Sequence, residues 1–242
     1  MLIKLFFCFF IYSMIGWITE VVFCFIVDHE IVNRGFLKGP ICPIYGVGSV
    51  LTIALLGNMK GNWGAIFLLG AIIASIIEYI TAYVLEWLFK TKWWDYSNKK
   101  FNIQGRVCLL NSILFGFLTL ILIEAVHPLM LRILNNISKD FILMSVVLFF
   151  IVFFVDLYKC VKALLSINKK VYKLEKILDD LRKEDLEANN ITIKNKLKEK
   201  FNKKIFISRR EKVLIKAFPK VSHKKYDESF KKLKNIIKKK NE

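Results

Sequence analysis

Apolar residues fall in five long blocks up to residue 158, separated by short polar stretches; beyond it they become isolated positions among lysines. The first block, Ile3 to Val27, is interrupted only by Lys4 and Glu20 and is long enough to cross a bilayer as a helix. A single early lysine, the length of the run and the lack of a small-residue cleavage site predict that it is retained. The second block, Pro43 to about Gly57, is short for a crossing. It suffices only if the preceding GPICPIYG segment dips to membrane depth, where non-helical backbone survives under cover of other protein. A third helix is predicted from Trp63 to Phe89, with Glu78 near its middle and Glu86 near its end. A fourth runs from Val107 to Val126, where Pro128 is expected to break it. The fifth runs from Phe141 to Tyr158, with Asp156 and Lys159 spaced as a local pair.

After Tyr158 the periodicity changes. No glycine follows Gly116 and only Pro219 follows Pro128, so one helix can run from Phe141 to about Ala188. Leu164, Ile167, Val171, Leu174, Leu178 and Leu181 alternate spacings of three and four, a heptad seam. Three heptads serve a coiled coil between copies, or a helix packed on its own tail. Ile205, Phe206, Ile207, Val213, Leu214, Ile215 and Phe218 are the sparser apolar positions beyond it.

Composition narrows the class. With 55% hydrophobic residues and a mean hydropathy of +0.43, the chain is an integral membrane protein. The expected fold is all-α: a polytopic bundle of about five transmembrane helices over residues 1–160 and a basic, helical tail over 161–242. The tail from Lys159 holds 27 Lys and Arg against 11 Asp and Glu, so +16 of the total +18 lies there. Lys90, Lys92, Lys99, Lys100 and Arg106 crowd one loop and Arg34 and Lys38 another, while the 58–62 loop has only Lys60. Basic loops stay in the cytoplasm. The expectation is a multi-pass protein of the cell membrane, amino terminus outside, both basic loops and the tail inside.

The densest backbone punctuation is NRGFLKGPICPIYGVG, residues 33–48. Gly35, Gly39 and Gly46 permit unusual φ or close approach, and Pro40 and Pro43 fix φ, so the stretch is a shaped loop entering a helix. Glu20 and Glu78 are carboxylates within spans and must be neutral, paired or hydrated. Arg34 and Arg106, each beside a glycine, are the candidate partners, because a planar guanidinium clamps a carboxylate with two bonds. Together with Tyr45 and Asp95 they form the expected buried charge network or polar cavity, opening toward the cytoplasm. The same charges can also lock the bundle without further function. Trp93 and Trp94 read as interfacial anchors.

The five cysteines form no C-x-x-C pair and the three histidines have no ligand spacing, so no metal site or cofactor is expected. No catalytic motif is present: no G-x-x-x-x-G-K-[ST] loop, G-x-S-x-G elbow or H-E-x-x-H pair. The chain is not expected to be an enzyme.

Three motifs in order, IYSMIGWITE at 11–20, NRGFLKGPICPIYGVG, and WWDYS with FNIQGRVCL at 93–109, carry a resemblance. Glu20, Arg34, Gly35, Gly39, Pro40, Pro43, Tyr45, Gly46, Asp95, Tyr96, Ser97, Gly105 and Arg106 are in place. Over residues 1–160 the chain resembles the family described as Putative ABC-transporter type IV, membrane proteins of Gram-positive bacteria. The resemblance implies a permease-type component whose ATPase, absent from this sequence, is a separate subunit. The contrasting expectation is a membrane-anchored interaction or sensor protein whose basic tail binds anionic lipid, nucleic acid or a partner protein. A homo-oligomer through the heptad seam is compatible with either.

Overall fold

The computed structural model describes residues 2–28, 35–185, 208–217, 221–223 and 225–239. The chain divides into two compact units, Met1–Val84 with Trp94–Tyr158, and Leu85–Trp93 with Lys159–Glu242.

In the first unit α1 (Leu2–Asp28) is followed by α2 (Pro43–Leu56), α3 (Trp63–Phe89, of which the part to Val84 belongs here) and two short strands, β2 (Asn102–Ile103) and β3 (Val107–Cys108). Then come α4 (Leu109–Ile121), a π turn (Leu122–Val126), α5 (His127–Asn135) and α6 (Lys139–Asp185). Four helical stretches are long and apolar enough to cross a membrane: Leu2–Ile26, Trp63–Phe89, Leu109–Asn135 and Lys139–Ile177; Pro43–Met59 is a shorter apolar one. Rows of large apolar side chains stay exposed, such as Ile72, Ile76 and Ile80 at one-turn spacing on α3. In a bilayer these face lipid.

Phenylalanines zip α1 to α6 in parallel, with Phe6 on Phe150 at 5.2 Å and Phe10 on Phe150 at 5.0 Å. Helix α4 runs antiparallel to α3, with Gly70 against Thr119 and the Ser75 and Ser112 hydroxyls 2.7 Å apart. Helix α2 packs antiparallel on α1, from Gly16 back toward its amino-terminal end. The Cys42 N–H donates to the Ser13 carbonyl (2.9 Å), and Ile53 packs on the cluster of Phe7, Cys8 and Tyr12. Ser13 lies about 16 Å along α1 at 1.5 Å per residue, near the middle of its apolar stretch. The non-helical stretch before α2 therefore meets α1 near the middle of its apolar stretch, and α2 itself is a shorter apolar helix.

Gly46 makes this contact possible. A Cβ there would stand 2.1 Å from Ser13 Oγ and 2.6 Å from the Phe9 carbonyl oxygen. The positive φ expected among the punctuating glycines occurs elsewhere, at Gly61 and Gly105. The fourth crossing corrects the sequence expectation: Pro128 does not break it, and the helix runs on to Asn135. The π turn supplies the reason. The His127 N–H bonds the Leu122 carbonyl, five residues back, so Pro128, which brings no N–H and crowds the preceding turn, enters at the first turn of α5.

In the second unit the rest of α6 packs with α7 (Arg209–Ala217), α8 (Asp227–Lys239) and a two-stranded sheet of β1 (Thr91–Lys92) and β4 (Ser222–His223). Lys90 at φ 52° ends α3, and Asn168 and the Thr91 hydroxyl both donate to the Phe89 carbonyl (2.7 Å each). The seam residues Leu164, Ile167, Val171 and Leu174 are all buried within this chain. Leu164 and Ile167 line a small cavity with Leu214, Ile215, Val221 and Phe230. Of the two uses open to the heptad seam, its described part takes the intrachain one. Trp93 is buried and lines the same cavity, so it is a core residue here and not the interfacial anchor expected. Residues 205–207 and 218 lie outside the described residues.

Candidate functional site

The punctuated loop is held on the bundle by Asp156 of α6. Its Oδ2 accepts the backbone N–H groups of Lys38 (2.6 Å) and Gly39 (2.9 Å). An ionised carboxylate accepting two N–H bonds makes a strong pin, about 1.5–3 kcal/mol for each such bond. With Cys42 bonded to Ser13, this fixes the loop and aims Tyr45 across α1. The Tyr45 hydroxyl donates to Glu20 Oε1 at 2.6 Å. Gly16 lets the ring pass, since a Cβ there would meet the Tyr45 side chain at 2.3 Å.

The second loop, 94–106, is shaped in the same way. Asp95 Oδ1 accepts the Ser97 N–H (2.9 Å) and hydroxyl (2.5 Å), so Asp95, itself exposed, shapes a turn. Tyr96 N–H donates to the Gly105 carbonyl (2.8 Å). The chain turns through Gln104 (φ 52°) and Gly105 (φ 69°), which points Arg106 back at α3. Its guanidinium carbon sits 5.1 Å from the Tyr79 ring centroid and 5.5 Å from that of Tyr83. It also donates to the Tyr79 hydroxyl (3.1 Å) and to Gln104 Oε1. A buried guanidinium is thus held partly by ring faces.

Glu78, on the same helix, is 6% exposed. Its Oε1 accepts the Tyr96 hydroxyl at 3.3 Å, and the Asn111 side chain of α4 lies beside this pair. Its Oε2 is enclosed without a hydrogen-bond partner. The Glu20 charge reaches Glu78, Tyr45 and Tyr96. Both carboxylates, each met by a tyrosine from a different loop, therefore belong to one electrostatic neighbourhood. Arg34 lies outside the described residues. Sequence reasoning did not bring Tyr79, Tyr83 or Asn111 to the site, and it read Asp156 as a local pair with Lys159, not as the acceptor of the loop N–H groups. Tyr79 and Tyr83 had a legible signal, two aromatic rings one turn apart beside an intramembrane acid; Asp156 had none, because its partners are backbone N–H groups. A separate polar contact joins Tyr12 and His127 Nδ1 at 2.8 Å.

A family model described as Putative ABC-transporter type IV matches residues 7–161. The chain belongs to this family, and the matched span holds every element of the site. Among curated proteins and solved structures, no match was found.

Proposed function

We propose that the chain is the membrane-embedded, permease-like component of an ABC-type transport system, driven by an ATPase carried on a separate chain. The observation that supports this most is the non-helical stretch before α2, which meets α1 near the middle of its apolar stretch. Non-helical backbone at membrane depth is maintained where it is covered by protein or lines a polar path, and here it delivers Tyr45 to an intramembrane carboxylate. A second loop delivers Tyr96 to another. Glu20, Tyr45, Glu78 and Arg106 are the proposed polar site, with Asp95 at its loop side; Gly35, Gly39, Pro40, Pro43 and Gly46 shape it, and Arg34 is a candidate from the sequence alone. In this reading the basic loops and tail face the cytoplasm and the amino terminus lies outside, across five passages. A thiol reagent confined to the outside should then label a cysteine at 135 and miss one at 99. Cross-linking in intact cells followed by purification should recover a chain bearing a G-x-x-x-x-G-K-[ST] loop. Recovery of the protein without such an ATPase would overturn the proposal.

The tail supports a second reading, a membrane-anchored interaction or sensor protein. Among the described tail residues, α8 buries Phe230 and Leu233 and turns Lys231 and Lys232 outward, each paired one turn back with Asp227 or Glu228. Each Lys or Arg near an anionic leaflet contributes about 1 kcal/mol of attraction. Vesicle or nucleic-acid binding that fades as salt rises would favour this reading, and salt-independent binding would contradict it.

A further inference from the structure

Glu78 Oε2 is a polar atom of a side chain more than nine-tenths buried, enclosed in an apolar helix and without a partner. An ionised carboxylate in that position forfeits its hydration for a single hydroxyl bond at Oε1. A charge so placed costs more than the unmade hydrogen bond of a neutral acid. We propose that Glu78 is a proton-binding site of the membrane unit, with Oε2 carrying the proton and Oε1, as the carbonyl oxygen, accepting from Tyr96.

The neighbours pull both ways: the Tyr96 donor favours the carboxylate, whereas enclosure away from water and the like charge of Glu20 favour the acid. The loop brings Tyr96, whose hydroxyl donates, and α4 brings the uncharged Asn111. Helix α1 brings Glu20, a like charge that disfavours a second anion, and α2 brings Tyr45, bonded to Glu20. Cys108 of β3 adds a further acidic group beside Tyr96. The opposing charge is Arg106, whose described contacts are with Tyr79, Gln104 and the Tyr83 ring. A proton fits better than a metal cation, because among the described residues no three His, Cys, Asp or Glu side chains stand close enough to hold a metal ion. The inference rests on the membrane setting and not on the ATPase partnership, so each can fail alone.

Infrared spectroscopy of the full chain in a bilayer tests it without any partner. At neutral pH the protein should show the carbonyl stretch of a protonated carboxylic acid. The band should vanish in Glu78→Gln, remain in Glu20→Gln, and move to higher frequency in Tyr96→Phe, where the carbonyl loses its donor. Glu78→Asp, which keeps an acid there, should keep a displaced band and guards against a folding artefact in Glu78→Gln. Absence of the band in the parent, or its persistence in Glu78→Gln, would overturn the proposal.

Discussion

Replacing Gly46 by alanine tests the contact on which the site depends. The new Cβ would lie 2.6 Å from the Phe9 carbonyl oxygen and 2.1 Å from Ser13 Oγ. The hydroxyl can rotate, at the expense of its own bond to the Phe9 carbonyl (2.7 Å). The carbonyl belongs to the backbone of α1 and cannot turn away. Restoring an ordinary contact of about 3.4 Å requires α1 and α2 to part by most of an ångström, against the packing of Phe7, Cys8, Tyr12 and Ile53. Overpacking of this kind costs about 1–3 kcal/mol. The adjacent Tyr45 would move with its helix and lengthen its 2.6 Å bond to Glu20. Thermal unfolding in detergent, followed by the reactivity of the buried thiols Cys8 and Cys42, should show the loss. Adding Ser13→Ala should recover only part of it, because the carbonyl clash remains. A Gly46→Ala protein as stable as the parent would show that α1 and α2 do not meet there.

Other consequences follow from the same geometry. Tyr45→Phe should cost about 1.5–3 kcal/mol, the range for a hydrogen bond to a charged group, and Glu20→Gln should then cost less in the Tyr45→Phe background than in the parent; additive losses would contradict the pairing. Lys170→Met leaves Glu211, 1% exposed, without its 2.6 Å cation and should cost about 3 kcal/mol, most of it regained by adding Glu211→Leu. His223 has its pKa lowered below the ordinary 6.5 by burial, opposed by Asp227 and Glu175, and its Nδ1 accepts the Lys225 and Tyr226 N–H groups. The unfolded chain therefore binds the proton first, so this stability is present above pH about 6.5 and falls as the pH drops below it. His223→Gln should flatten that dependence, and an unchanged pH profile would refute it.

Much of the fold was legible because the apolar blocks are long. The bounds of α2 and α3, and the continuity of α6, follow from block length and from the positions of the last glycines and prolines. The run through Pro128 was not legible, since its accommodation depends on a π turn, a backbone adjustment without a residue signature. Nor was the use of 91–93 in the second unit: two residues of strand pairing leave no periodicity to read. In the site, Glu20, Glu78, Tyr45 and Arg106 were identifiable by type and place. The contacts that surround them were not, because the rings beside Arg106 and the phenol on Glu20 are brought there by loop geometry.

The central claim is that the chain before α2 descends to the middle of the membrane. A spin label at position 40, exposed beside the buried Ile41 and Cys42, reports this directly through its collision with oxygen and with an aqueous nickel chelate. Labels at Ile15, Ile18, Val22 and Phe25, all exposed on α1, provide the depth scale. The account predicts a depth at position 40 matching Ile15 to Ile18; a depth at or beyond Phe25, on the aqueous side, would contradict it.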